Sequence, residues 1–463
     1  MDRRDLGLGL ALGVSSFAAF RATEQVLLFH DAALFRRLLE EGEWRYFHVL
    51  WLPVLQIARA TGIAATSRDV LYVVSALSGA AIVLGSFAVA RLLLPRLAAL
   101  LLALLVLATP AVWFHASSAC VHAFHGAVAV GGFHAAWSLR PGHGLGRRLG
   151  AGTAIALVPL SHLAGAFLVP GYLVFAASRG GRLRRDLLRR ALPLLAPPLL
   201  GLAVLIGTYR SVGSVSFPVR VGEVASSTWA HAPALVRAGI GQATRAMPFL
   251  GLAALLGWAA AYRRRRGLVG RSLLVAVPLF LGVTLWMQDL VGAYYLGAVG
   301  VLCVGAAHAW RALAARAGRG GACGALAGLV AVQAALCVPA RIREADARAV
   351  HGRTEALLRT GALLLYEPRV PEAIEFHDLA RGRLVLNLFL FDGTPPGGSE
   401  AALADLGRAS AGLEDREVVL DRRIYEAVRR GSRLAEWFAG FRERFRAEEI
   451  PGHADFELLR PKR

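Results

Sequence analysis

The chain has 463 residues, of which 56% are hydrophobic, and its mean hydropathy is +0.50. Soluble globular chains average about 45–50% apolar residues, so this composition indicates a membrane protein and argues against a soluble enzyme. The formal net charge of +20 would favour nucleic-acid binding if the arginines formed one basic patch. They are divided among alternate loops instead, so no nucleic-acid partner is expected.

Eleven apolar segments predict a mainly α, polytopic membrane protein of about eleven transmembrane helices. A helix needs about 20 apolar residues to cross a bilayer, and fewer when it is short or broken. The first segment is expected to be retained, because no small-residue cleavage site of a signal peptide follows it. The predicted spans are 6–22, 70–94, 97–113, 117–137, 149–162, 164–177, 191–208, 247–262, 272–287, 291–310 and 321–338.

The loop after the first span, residues 23–69, is polar and rich in His and aromatic residues. Residues 32–41 have the amphipathic spacing of a short helix that lies on the membrane surface. Residues 47–60 are apolar but contain Pro53, so they are expected to form an interfacial or re-entrant helix. An additional crossing here would also invert every later arginine-rich loop.

Asp31 is the first candidate catalytic residue, and His30 precedes it. A carboxylate at the outer surface could act as a general base on an acceptor hydroxyl. It could equally cap the helix that follows, since Asp is a favoured N-cap residue, and both roles are compatible. His48 is a candidate substrate contact, with a place in an interfacial aromatic belt as the alternative.

Four further histidines predict a polar pocket for sugar hydroxyls or phosphate. His122 and His125 are three residues apart and share a helix face, and His115 lies two turns earlier. His162 is expected at a similar depth on the outer side. Titratable groups inside spans are costly and usually face a cavity. No metal ligand is assigned, because the spacing matches no strong metal-binding signature; a divalent metal stays an open alternative.

The arginine-rich loops set the predicted topology by the positive-inside rule. The amino terminus is cytoplasmic, and the loops 23–69 and 209–246 and the carboxy-terminal region lie outside the plasma (inner) membrane. Arginine-rich loops flank 149–177 on both sides, so this region needs an even number of crossings. Two short helices joined near His162 and Gly165 satisfy that requirement. The arginine-rich loops are 140–148, 179–190, 263–271 and 311–319.

Outer arginines near span ends are candidates to bind a phosphate, since a guanidinium binds phosphate in a fork. They are Arg210, Arg220 and Arg245, and headgroup anchoring is the alternative for each. Tyr294 and Tyr295 begin the tenth span, where substrate contact and a place in the aromatic belt explain them equally well.

The chain divides into a transmembrane domain, 1–340, and a small extracytoplasmic α/β domain, 341–463. The second region is polar and carries neither a phosphate loop nor a dinucleotide fingerprint. Its predicted strands are 361–368, 384–391, 417–421 and 455–461, with helical segments that include 371–381 and 434–445.

Together these features resemble the GT-C class of integral-membrane glycosyltransferases, which includes protein O-mannosyltransferases and the aminoarabinose transferases of lipid A. The pattern is one span, an outer loop with an early acid, a His-containing aromatic-Pro segment, many short spans and an outer domain. It reads HDAALFRRLLEEGEWRYFHVLWLP at 30–53, and LSHLAGAFLVPGYLVF at 160–175 is similar to the fifth and sixth spans of that class.

The resemblance implies an inverting transfer of a sugar from a polyprenyl-phosphate donor to a glycan, lipid or protein acceptor. The acid matched by Asp31 would activate the acceptor, and an outer arginine would stabilise the phosphate leaving group. One departure is clear. Many members carry a second acidic residue in the outer loop between the third and fourth spans, whereas residues 109–125, TPAVWFHASSACVHAFH, contain no Asp or Glu. A metal-independent variant, different acceptor chemistry and lost activity are all compatible with it.

Two other functions remain open from the residues alone. A transporter or flippase of a lipid-linked saccharide would share the polar intramembrane residues without needing a catalytic acid. Carriers often contain repeated halves, and no internal repeat is evident here. A polymerase or ligase of surface polysaccharide would use the same class of lipid on a different fold.

Overall fold

The protein is described by a computed structural model, in which the described residues fall into two compact units. The helical unit comprises Met1–Glu24 and Leu34–Arg343, and the second unit comprises Gln25–Ala33 and Glu344–Arg463. The described residues are 3–25, 32–44, 48–140, 142–178, 187–211, 236–237, 239–263, 265–284, 292–345, 363–366, 386–387, 417–421, 439–450 and 456–462.

Each of the eleven predicted spans overlaps a helix. The helices are α1 (Arg3–Ala22), α2 (Ala32–Glu40), α3 (Trp51–Ala60), α4 (Ser67–Arg91), α5 (Arg96–Leu107), α6 (Pro110–Ser117), α7 (Val121–Ser138), α8 (Leu145–Ser161), α9 (Val169–Ser178), α10 (Leu187–Ser211), α11 (Gly239–Ala246), α12 (Pro248–Tyr262), α13 (Arg266–Gly282) and α14 (Val299–Glu344); 3-10 turns cover Leu163–Phe167 and Tyr294–Ala298.

The number of membrane crossings stays a prediction. Among the described residues, two helices are long and apolar enough to cross a membrane, Ser67–Arg91 and Tyr294–Ile342, and each of two bent pairs could add one more. The bent pairs are α5 with α6, at 62°, and α11 with α12, at 104°. The second long helix is itself interrupted at Gly318, whose φ of 74° and ψ of 167° are not helical. A positive φ is a conformation that glycine adopts at little cost.

α4 is the central helix of the helical unit and packs against α1, α5, α6 and α7. It is capped by Thr66, whose hydroxyl accepts a hydrogen bond from the Asp69 N–H, as expected of a Thr N-cap. Gly79 allows α1 to approach, because a Cβ there would lie 2.7 Å from a ring carbon of Phe20. Close helix approach at a small residue is typical of membrane bundles, where packing rather than water drives association.

The predicted pair of short helices at 149–177 is confirmed: α8 ends at Ser161, a 3-10 turn follows, and α9 continues to Ser178. The predicted short helix at 32–41 is present as α2, and the helix predicted within 47–60 is present as α3. Their places at the membrane surface stay predictions.

The second unit contains a five-stranded sheet in the order β2-β1-β3-β5-β4. β1 pairs in parallel with β2 and β3, and β5 pairs antiparallel with β3 and β4. The register places Leu364 opposite Val419 and Val419 opposite Leu458. The strands are β1 (Leu363–Tyr366), β2 (Leu386–Asn387), β3 (Val418–Asp421), β4 (Phe445–Glu449) and β5 (Phe456–Pro461).

Four of the five strands lie where the sequence predicts strands, and β4 was not predicted. The segment 434–445 was expected to be helical, and its described part, 439–443, is. The helix expected at 371–381 lies outside the described residues, so the α/β class of this domain stays a prediction.

Candidate active site

Five histidines and one tyrosine from separate parts of the helical unit form a buried cluster, here called the histidine cluster. Each side chain is less than one-tenth exposed, so the cluster is closed to bulk solvent. Its members are His48 before α3, His115 in α6, His122 and His125 in the first turns of α7, His162 after α8, and Tyr294 at the start of the helix that leads into α14.

His162 lies at the centre of this cluster. Its ring centroid is 4.7 Å from that of His48, 5.4 Å from those of His122 and His125, and 5.0 Å from that of Tyr294. His122 also lies 5.2 Å from Tyr294 and 5.3 Å from His115. The predicted gathering of His115, His122, His125 and His162 is therefore present, and His48 and Tyr294 join it.

The turn after α8 positions His162. Its backbone is extended, with φ of −164° and ψ of 142°, and its Nδ1 accepts a hydrogen bond of 3.1 Å from the Ala164 N–H. The chain then folds back on α8 at Gly165, where a Cβ would lie 2.9 Å from the Pro159 nitrogen and still closer to the Val158 carbonyl. A residue with a side chain does not fit there, so this glycine is required by the close approach.

Hydrogen bonds assign the tautomers of two rings. The Ser161 hydroxyl donates to the Val158 carbonyl at 2.7 Å, so its oxygen accepts from the Nδ1–H of His125 at 2.9 Å. His125 Nε2 then carries a lone pair. His162 Nδ1 already accepts from Ala164, so the neutral ring carries its hydrogen on Nε2. The cluster thus presents an acceptor on His125 and a donor on His162.

Neighbouring contacts hold the α6–α7 junction. Ser75 on α4 donates to the Cys120 carbonyl at 3.1 Å and accepts from the Cys120 N–H at 3.2 Å. Trp113 on α6 donates to the Thr23 hydroxyl at the end of α1 at 2.7 Å. Two bonds from α4 and one to α1 fix the point at which α7 begins.

Other predicted site residues do not join the cluster. Tyr295 stacks on Phe280 at 6.2 Å, and its hydroxyl lies 3.4 Å from that of Thr284. Arg245 is exposed on α11. Arg210 lies in α10, but its side chain is outside the described part of the structure; His30, Asp31 and Arg220 are outside it entirely.

Two described charged groups near this end of the unit were not singled out from the sequence. The Arg341 guanidinium lies 5.1 Å above the ring of Phe114, which contacts His115 edge to face at 4.9 Å. The sequence feature that could have singled out Arg341 is its position three residues after the last predicted span. Glu24 pairs with Arg21. Burial raises the pKa of Glu24 above its ordinary value, and the charge of Arg21 opposes that rise.

The residues present do not fit a metal site. In the described ranges, no group of three or more His, Cys, Asp or Glu side chains is arranged to hold a metal ion. The rings of the cluster contact one another by their faces and edges, whereas metal ligands direct nitrogen lone pairs at one point.

Comparison with known proteins supports the architecture. No family model and no curated protein matches the sequence. The ArnT of Cupriavidus metallidurans, solved bound to undecaprenyl phosphate, is 13% identical, with a TM-score of 0.53 over 98% of this chain and 97% of that one. Its apo state is 14% identical, with the same TM-score over 97% of each chain.

The Archaeoglobus fulgidus oligosaccharyltransferase, solved with zinc and sulfate, is a more distant likeness. Its TM-score is 0.46 at 15% identity, over 89% of this chain and 68% of that one. The likeness to ArnT covers nearly the whole of both chains. The chain therefore has the same fold as ArnT.

Proposed function

We propose that this chain is a glycosyltransferase of the plasma membrane that transfers a sugar from a polyprenyl-phosphate donor to a glycan, lipid or protein acceptor. The observation that carries the proposal is the ArnT-like fold over 98% of the chain. The buried histidine cluster at one end of the helical unit supports it, because polar groups in membrane helices are retained mainly where they serve a site.

In this mechanism Asp31 is the general base. The acceptor hydroxyl lies against the Asp31 carboxylate and loses its proton as its oxygen attacks the anomeric carbon. The bond from that carbon to the phosphate oxygen breaks on the opposite face, so the configuration inverts. The bond's electron pair leaves with polyprenyl phosphate, and cationic or donor groups stabilise it.

The arginine that contacts the phosphate comes from a small set at the outer side. Arginine suits this role because its planar fork matches two phosphate oxygens. The candidates are Arg210, Arg220 and Arg245 from the sequence, and Arg341 from its position beside Phe114.

The proposed topology places the reaction on the outer face. The amino terminus is cytoplasmic, the loops 23–69 and 209–246 are outside, and the donor enters laterally from the bilayer. The extracytoplasmic domain, 341–463, shapes the acceptor side.

Donor turnover tests the proposal. Purified protein is reconstituted with a panel of polyprenyl-phosphate sugars and extracts of the source organism's lipids and glycans, and release of free polyprenyl phosphate is followed. Wild type is expected to release it, and Asp31→Asn is expected to lose at least about a hundredfold in rate, as loss of a general base does.

Two matched variants decide whether Asp31 is the base. Asp69→Asn changes a partly exposed acid in the first turn of α4, whose N–H donates to the Thr66 cap, and it is expected to keep full turnover. Glu24→Gln changes the half-buried acid with a raised pKa. If Glu24→Gln abolished release and Asp31→Asn did not, the enzyme class would stand and the base would be Glu24.

A further inference from the structure

We propose that the histidine cluster binds the phosphate group of the lipid, and binds released polyprenyl phosphate more tightly than the sugar-bearing donor by taking up a proton at His125. The inference rests on the proposed function, because it assigns the leaving-group site of that reaction to particular side chains.

Two helix amino termini converge on the cluster. α7 begins at Val121, and its N-cap residue Cys120 makes no side-chain capping bond. The helix that starts at Tyr294 likewise has no side-chain bond from its N-cap, Ala293. The rings of His122 and Tyr294, each in the first turn of its helix, are 5.2 Å apart. First-turn N–H groups and the helix dipole favour an anion at such a position.

His125 supplies a second and independent sign of a ligand. It is fully buried, and its Nε2 has no hydrogen-bond partner among the described residues. Its Nδ1–H is committed to Ser161, so Nε2 can donate to a phosphate oxygen only after it gains a proton. Burial of such a nitrogen without a hydrogen-bond partner costs free energy, unless a bound group supplies the partner.

The last turn of α8, whose dipole would oppose an anion, has carbonyls that accept hydrogen bonds within the protein. The Val158 carbonyl accepts from the His162 N–H at 3.4 Å and from the Ser161 hydroxyl at 2.7 Å. The Leu160 carbonyl accepts from the Leu50 N–H at 3.2 Å. These two carbonyls therefore already accept hydrogen bonds from donors within the protein.

The segments that build the cluster carry no carboxylate of their own. Residues 48–60, 109–126, 158–168 and 292–305 contain no Asp or Glu. The titratable and charged groups facing His125 and its neighbours from these elements are His48, His115, Cys120, His122, His162, Tyr294 and, across Phe114, Arg341. An anion bound beside these rings would favour the protonated form of a neighbouring imidazole.

The reaction itself explains the preference for product. The donor is a phosphodiester with one negative charge, and polyprenyl phosphate is a monoester that carries up to two, with a second pKa of about 6. A cluster that gains a proton as the second charge forms stabilises the leaving group. The rings contact one another, so binding of the phosphate requires them to turn apart.

Calorimetric binding of undecaprenyl phosphate tests the inference in detergent at about pH 6, near the second pKa of a phosphate monoester, and at about pH 8. Each titration is run in two buffers of different ionisation enthalpy, which reveals proton uptake. Wild type is expected to bind more tightly at the lower pH, with proton uptake. His125→Gln is expected to bind about tenfold more weakly at about pH 6 with the uptake lost, because glutamine takes up no proton and forms no charge-assisted hydrogen bond to the phosphate.

Matched ligands and variants complete the test. Inorganic phosphate reports whether the phosphate alone is recognised, and undecaprenol reports binding of the lipid chain without it. His134→Gln changes a histidine of the same helix outside the cluster, and it is expected to bind as wild type does. Thermal unfolding shows whether His125→Gln is folded. If it is not, the affinity of His122→Asn for undecaprenyl phosphate and the proton uptake by wild type test the inference instead.

Two results separate failure of the inference from failure of the proposed function. Equal affinity of wild type and the cluster variants for undecaprenyl phosphate, without proton uptake, would overturn the phosphate site. Sugar transfer by the same preparation would then keep the proposed function. If wild type neither bound the phosphate lipid nor transferred sugar, both proposals would fail.

Discussion

Buried polar groups lie near both ends of α4, and their hydrogen bonding differs. Near its last turn, Asp5 is buried and accepts from Arg91 at 2.8 Å and from Arg96 at 2.7 Å. Near its first turns, Ser75 bonds to Cys120 at the start of α7, beside the histidine cluster. The rise of 1.5 Å per residue puts Ser75 and Arg91 about 24 Å apart along the helix.

The contrast separates a structural site from a candidate functional one. Asp5 has two cationic partners, and the hydrogen bonds from Arg91 and Arg96 lower its pKa to about 2. In the histidine cluster, the Nε2 of His125 has no hydrogen-bond partner among the described residues. We infer that the Asp5 carboxylate stabilises the fold and that His125 Nε2 faces a bound group, since buried polar groups in membrane helices usually have a partner.

The largest expected effect is at Gly165. Gly165→Ala places a methyl group against the backbone of Val158 and Pro159, which displaces the turn that holds His162. We expect a loss of roughly 3 kcal/mol or more in unfolding free energy, together with loss of sugar transfer. Gly150→Ala, where no atom lies within 4 Å of the new Cβ, is the control. Equal stability of the two variants in a thermal unfolding assay would contradict this account of the turn.

The Asp5 end is expected to affect stability without affecting transfer. Asp5→Asn keeps the shape but removes the charge between Arg91 and Arg96, so the melting temperature should fall by several degrees. The KM for the donor should stay unchanged. A changed KM with an unchanged melting temperature would reverse the distinction between the two ends.

The pH dependence of stability gives a second measurement on Asp5. Its pKa in the folded protein, about 2, lies below the ordinary value of 3.8. The stabilisation from this group is therefore fully present above the unfolded-state pKa and is lost as the pH falls from about 4 towards 2. Asp5→Asn should remove that part of the acid destabilisation seen in wild type.

A smaller effect is expected at Ser161. Ser161→Ala removes the acceptor that holds His125 in its Nδ1–H tautomer, and a hydrogen bond contributes about 1 kcal/mol. We expect undecaprenyl phosphate to bind about threefold to tenfold more weakly. Ser138→Ala removes a hydroxyl bond to the Ala135 carbonyl at the far end of α7 and should leave binding unchanged; a matching loss there would assign the effect to helix stability.

An effect on stability alone is expected at the amino-terminal cap of α4. Thr66→Ala removes the acceptor of the Asp69 N–H and should cost about 1 kcal/mol of unfolding free energy. Thr61→Ala, which loses only an exposed bond to the Ala58 carbonyl, should cost less. Donor binding should change in neither variant.

The sequence was most informative about periodicity and least informative about bends. Hydropathy located the helices, and helical spacing put His122 and His125 on one face. The 62° bend between α5 and α6 and the 104° bend at Met247 had no comparable pattern. Those bends decide which helix ends meet, so the approach of Arg341 to Phe114 was not predicted.

The neighbouring tyrosines illustrate the same limit. Tyr294 and Tyr295 were equal candidates, and only Tyr294 reaches the histidine cluster. Adjacent residues of a 3-10 turn point about 120° apart, so the choice depends on how the turn is rotated against α7. Strand β4 was missed because its segment, FRAEE, carries charged residues at three of five positions, and such residues are not typical of strands.

The most direct test of the central claim is a single proteoliposome assay with a polyprenyl-phosphate sugar. Release of polyprenyl phosphate and movement of the donor across the bilayer are followed in the same vesicles. The account predicts release that requires an acceptor, with the transferred sugar in the inverted configuration. Movement of intact donor across the bilayer without any release would contradict it and assign the chain to the flippases.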